Sequence, residues 1–255
     1  ALNYTTPCGL MGGEPYRIME LKPYTGVSKA TSSVILYVMM HIFSHFWFWF
    51  LSIFLFIAFN PVGLSMGILL AVIGGFCLLG IYFFSRGYKT GMAQKGIHLL
   101  THIPFVKGWA KRFAESKKDT LEQIDSQIAL LHQQHKRTFY SSLLFELSAR
   151  VLQSFEIYLI LKAFNAEVGI IDSILILAFS SLFSNLIFFT PMQLGSREGG
   201  LALAVDGLHL TGALGVYTGL ITRLRELVWI AIGIMLIKIG NKNQLPKDTS
   251  DNKES

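Results

Sequence analysis

The stretch LSMGILLAVIGGFCLLGIYFF, Leu64–Phe84, contains no charged residue. As a helix rising 1.5 Å per residue it covers about 30 Å, the thickness of a bilayer's hydrocarbon. A helix apolar on every side needs burial all round in water, whereas lipid solvates it directly. A second apolar run, Ser33–Phe59, rich in Phe and Trp, lies just before it, and Asn60-Pro61 marks the turn between them. The chain of 255 residues is 52% hydrophobic and only 15% charged; soluble domains carry about 25% charged residues. The expected fold class is therefore all-α, a polytopic membrane helix bundle. Cys8 and Cys77 are far apart, and Cys77 lies in an apolar run, which disfavours both a disulfide framework and a zinc site.

Three more runs follow: Phe139–Phe164, Ile170–Thr190 and Ala213–Ile239. Between the second and third runs, residues 85–138 are polar and carry the main basic cluster, which places them in the cytoplasm by the positive-inside rule. Within that loop Leu121, Ile124, Ile128 and Leu131 recur at helical spacing opposite acidic and amide residues, the pattern of an amphipathic helix. The net charge of +6 sits mostly in loops, so it reports orientation rather than nucleic-acid binding. The tail, residues 241–255, is polar, lysine-bearing and expected to be disordered on the same side. Loop and tail on one side need an even number of crossings between them. The short apolar segment Gly199–Leu210 must then complete a crossing with its neighbours, as a broken or re-entrant helix facing protein or a wet cavity. The chain opens without a Met, and helices are expected upstream of it.

One break in the apolar pattern stands out: TPMQLGSREGG, Thr190–Gly200. It has a counterpart near the start, TPCGLMGGEPYR. Pro7 precedes Glu14 by the interval that separates Pro191 from Glu198, and Leu10 matches Leu194 between them. Pro7, Gly12 and Gly13 in one motif, and Pro191, Gly195 and Gly199 in the other, stop one segment so that a helix can start near the acid. Paired interrupted segments in matching places point to a transporter's substrate site. A helix N-terminus suits a phosphate or carboxylate, and Arg17 and Arg197 add bidentate donors. Glu14 and Glu198 equally fit the simpler role of capping their own helices and pairing with those arginines.

Charges also lie inside the apolar runs. Glu146, Arg150 and Glu156 share one face of the third run with Ser142 and Gln153, and Glu146 and Arg150 stand as i,i+4 partners. Arg223 and Glu226 share a face of the last run, while Arg225 points nearly opposite, so that helix is expected to have protein on all sides. Each charge at mid-bilayer costs about 2.5–3.5 kcal/mol on insertion scales. Such groups either pair structurally or line a polar path for a substrate. His41 and His45, also i,i+4, could hold a metal or haem, but aromatic neighbours favour packing histidines; His98 and His102 read the same way. No metal and no cofactor is expected. Phosphate-loop, nucleophile-elbow and zinc-protease motifs are lacking, so neither an ATP motor nor an enzyme of those kinds is expected.

PCGLMGGEPYRIMEL, GVSKATSSVIL, FELSARVLQSFEIYLILKAF and TPMQLGSREGGLALAVDGLHL, followed by ALGVYTGLITRLRELVWIAIG, together resemble the lysylphosphatidylglycerol synthase transmembrane region. This flippase-like family includes the membrane domain of the multiple peptide resistance factor. The resemblance runs from about Leu2 to Ile239 and assigns its motif positions to Gly13, Glu14 and Arg17, to Pro191, Gly195 and Glu198, and to Arg223. Where the family often carries a Glu-Arg pair, this chain has Tyr37 and His41. Only a short polar tail follows the last run, so no counterpart of the fused members' aminoacyltransferase domain is expected. The resemblance implies a flippase-like membrane domain over residues 1–240 that performs no lysyl transfer.

The resulting expectation is a multi-pass cell (inner) membrane transporter. It would move an anionic or zwitterionic (glyco)phospholipid, or a polyprenyl-phosphate lipid, between leaflets. The headgroup would meet Glu14, Arg17, Glu146, Arg150, Glu156, Arg197, Glu198, Arg223 and Glu226. The alternative is a non-transporting partner that binds lipid and assists an envelope-lipid biosynthetic enzyme, favoured by the amphipathic loop helix. A third and weaker reading is an intramembrane enzyme using His41 and His45.

Overall fold

The structure, a computed structural model, describes residues 13–90, 122, 126, 136–187 and 193–242. Seven helices order these residues: α1 (Gly13–Thr25), α2 (Val27–Phe59), α3 (Leu64–Thr90), α4 (Lys136–Ala163), α5 (Ile170–Leu186), α6 (Ser196–Asp206) and α7 (Gly212–Lys242). Pro7, Gly12, Pro191, the amphipathic segment around Leu121–Leu131 apart from residues 122 and 126, and the tail from residue 243 on lie outside the described residues, whereas the tail's first two residues, expected to be disordered, close α7.

The two long apolar runs form α2 and α3, both long and apolar enough to cross a membrane. α3 buries little of itself: Leu64, Ile68, Val72 and Leu79 are all exposed. A face of that kind is stable only against lipid. The side of α3 that packs does so through rings, with Phe76 and Phe84 against Phe46 and Phe43 of α2. Trp49 of α2 donates its indole N–H to the Ser181 hydroxyl of α5 at 2.9 Å, so the aromatic helix is also tied to the second half of the chain.

α5 presents a stripe of small residues, Ser173, Ser180 and Ser184, all buried. Their hydroxyls turn back onto their own helix carbonyls, which removes the polar cost and lets neighbours approach closely. α6 uses that approach. A Cβ on Gly200 would lie 3.1 Å from the Ser180 carbonyl oxygen. On its other side α6 meets α7 at Gly215, where a Cβ would stand 2.4 Å from the Leu201 carbonyl oxygen. α6 spans only about 16 Å at helical rise and is wedged between α5 and α7, with Leu201 and Val205 in the core. Segment positions thus follow the sequence: the edges at Phe59, Leu64 and Ile170 fall where expected, and the others shift by one to six residues.

α7 departs from expectation. Leu220, Leu224, Leu227 and Val228 are exposed along one face, so the helix is not enclosed by protein. Protein meets it on the remaining arc. Arg223 and Arg225 flank the apolar face from its two sides, and each reaches round to a carboxylate.

Candidate functional site

α6 begins where the chain turns through two left-handed residues. Gly195 has φ +80° and Gln193 φ +53°. The backbone N–H of Gly195 donates to Glu198 Oε2 at 2.9 Å, so Glu198 does cap its own helix. Its other oxygen accepts from Arg223 Nε at 2.8 Å. Arg223 also donates to the Gln193 carbonyl at 3.0 Å, which fixes the strained turn from the α7 side. Alanine at Gly195 would carry the left-handed cost of about 1–2 kcal/mol. Gly195→Ala is expected to lower the melting temperature in detergent by that equivalent, whereas Gly63→Ala, in open space at negative φ, is expected to leave it in place.

Two more ion pairs adjoin this one. Arg197 pairs with Glu226 of α7, and Arg225 pairs with Glu156 of α4. Three arginines and three glutamates thus meet where α4, α6 and α7 converge. The Glu226 side chain is only 7% exposed and that of Arg197 20%. Beside them lies a small cavity whose polar lining comes from Gln153, Glu156, Ser180, Arg197 and Thr222. Paired charges satisfy one another where lipid could not. A guanidinium has the donor geometry for bidentate binding of a carboxylate or a phosphate.

Glu146 and Arg150 sit elsewhere. Glu146 stands ten residues before Glu156 on α4, about 15 Å along the helix axis, and faces α2. The expected i,i+4 ion pair between Glu146 and Arg150 does not form. Glu146 Oε2 lies 3.3 Å from His41 Nδ1, while Arg150 donates to the Ser44 hydroxyl at 2.8 Å and to the His41 carbonyl at 3.1 Å. Partners across the helix interface outcompete the neighbour on the same helix, because α2 offers a hydroxyl and a carbonyl within reach of the guanidinium. In the first motif, α1 starts at Gly13 with Glu14 in its first turn. Arg17 lies over the Tyr37 ring of α2, 4.6 Å from its centroid. Arg17 therefore contacts α2, whereas the second motif's residues contact α4 and α7.

Spacing alone underrated Arg225, which the helical wheel turned away from Arg223. It also missed Ser44 and Thr222. The cue for Ser44 is an i,i+3 relation to His41 on a helix otherwise made of rings. Among the described residues no group of three or more His, Cys, Asp or Glu is placed to hold a metal.

An all-α bundle with apolar outer faces and charges paired inside defines a multi-pass membrane domain. The chain belongs to the lysylphosphatidylglycerol synthase transmembrane-region family, whose sequence profile matches residues 1–233. No curated protein and no solved structure matches it.

Proposed function

We propose that this domain moves a phosphate-bearing lipid, anionic or zwitterionic, between the leaflets of the cell membrane. The observation that carries the reading is the cluster of three Arg–Glu pairs beside a small cavity lined by polar and apolar side chains of α4, α5, α6 and α7. A headgroup crossing bare hydrocarbon pays the full desolvation of its charge. Here a phosphate exchanges for a carboxylate on Arg197 or Arg223, and an ammonium group on the lipid takes up the released glutamate. With a zwitterionic lipid the charge inside the bundle is unchanged at each exchange, whereas an anionic lipid adds one negative charge; in both cases the acyl chains remain in the hydrocarbon. The basic stretch between α3 and α4 lies on the cytoplasmic side in this reading. Transport runs downhill or is coupled to an ion.

The test is reconstitution of the purified domain into vesicles carrying fluorescent phosphatidylglycerol, phosphatidylethanolamine or a polyprenyl phosphate. Protein-dependent loss of leaflet asymmetry for at least one of them is expected. Exchange equal to protein-free vesicles for all three would remove the transport reading.

A further inference from the structure

The headgroup site leaves unused a titratable pair between α2 and α4. The His41 and Glu146 side chains are 42% and 27% exposed and so are accessible, whereas Arg150 beside them is buried. With a neutral imidazole, Glu146 and Arg150 balance, and His41 can donate its Nδ1–H to the carboxylate. Its own helix adds Tyr37, stacked at 6.3 Å, and His45, edge-on at 5.2 Å. From α1, Arg17 lies over the Tyr37 ring, 4.6 Å from its centroid. α3 and α5 bring no charged group into contact with His41 among the described residues. Arg17 is exposed, and among the described residues no carboxylate pairs with it.

We propose that His41, backed by Glu146, is a proton-binding site that couples lipid movement to a proton. Imidazole changes charge in the physiological pH range. One proton from the aqueous phase adds to Nε2, forming an imidazolium whose Nδ1–H stays on Glu146, and the same proton leaves to water on the opposite side. The added positive charge is opposed by Arg150 and, across Tyr37, by Arg17. A headgroup phosphate that passes Arg17 on its way to or from the site between α4, α6 and α7 cancels the second of these. At two ring contacts' distance the cancellation changes proton affinity by on the order of tenfold. Phosphate and proton therefore favour each other, which is the requirement for their joint movement. The inference rests on the lipid-transport reading above.

Vesicles containing the domain and fluorescent phosphatidylglycerol are given a pH step, with the membrane potential clamped by potassium and valinomycin. In the native protein a pH step is expected to raise the exchange rate several-fold over the rate without one. His41→Gln keeps an amide N–H for Glu146 but cannot titrate, and its ratio is expected to fall to about one. Glu146→Gln removes the countercharge and is expected to do the same, which covers a His41→Gln protein that fails to insert. Native exchange that ignores the pH step overturns the coupling and leaves lipid movement standing. A native-like ratio in either inserted variant overturns the assignment to this pair. No exchange under any condition overturns both readings.

Discussion

Arg197→Ala is expected to lower stability by about 3–5 kcal/mol, the cost of leaving a buried charge without its partner. The stranded group is Glu226, whose side chain is 7% exposed. The fall should appear as a large drop in melting temperature in detergent, along with loss of lipid exchange. Those two effects need separating, because an unstable protein also fails to transport. The double variant Arg197→Leu with Glu226→Leu removes both charges and fills the space with apolar atoms, which is often neutral or stabilising for a buried pair. It is expected to recover most of the lost stability without recovering exchange. A double variant as unstable as the single one would mean that the pair holds the bundle together by more than mutual neutralisation. Recovered exchange would take this pair out of the headgroup path.

Gly215→Val is expected to separate α7 from α6. A Cβ there would lie 2.4 Å from the Leu201 carbonyl oxygen and 2.6 Å from the Ala202 backbone, so the helices themselves would have to move. Overpacking against side chains costs about 1–3 kcal/mol, and the cost is higher where the obstacle is main chain. Because α7 carries Arg223, Arg225 and Glu226, the displacement should open all three ion pairs at once. The checks are thermal unfolding and a disulfide trap between cysteines placed on α6 and α7. The trap should close quickly in the Gly215 background and slowly in the valine variant. Equal trapping rates would show that the interface absorbs the added carbons.

The sequence yields the bundle readily, because charge-free runs of membrane length are solvated by lipid on every side. It also yields the helix start at Ser196, since Gly195 supplies the left-handed turn and Glu198 the cap. Partner choice is much less legible. Helical spacing joined Glu146 to Arg150, yet each finds its partner on α2, a hundred residues away in the chain. Spacing likewise set Arg225 apart, although its long side chain bends round α7 to Glu156. Wheel positions fix the direction in which a Cβ points. They do not fix where a guanidinium ends after several rotatable bonds, or which neighbouring helix lies within its reach. The same limit applied to the two matched motifs. Their local chemistry is similar, but Arg17 reports on α2 while Arg197 reports on α7.

The central claim is that paired charges between α4, α6 and α7 carry a lipid headgroup across the bundle. The most direct measurement is leaflet exchange of fluorescent phospholipid in vesicles, comparing the native domain with the inserted, folded Arg197→Leu and Glu226→Leu double variant at equal protein content. The account predicts rapid exchange with the native protein and the protein-free rate with the variant. Equal exchange in both would contradict it.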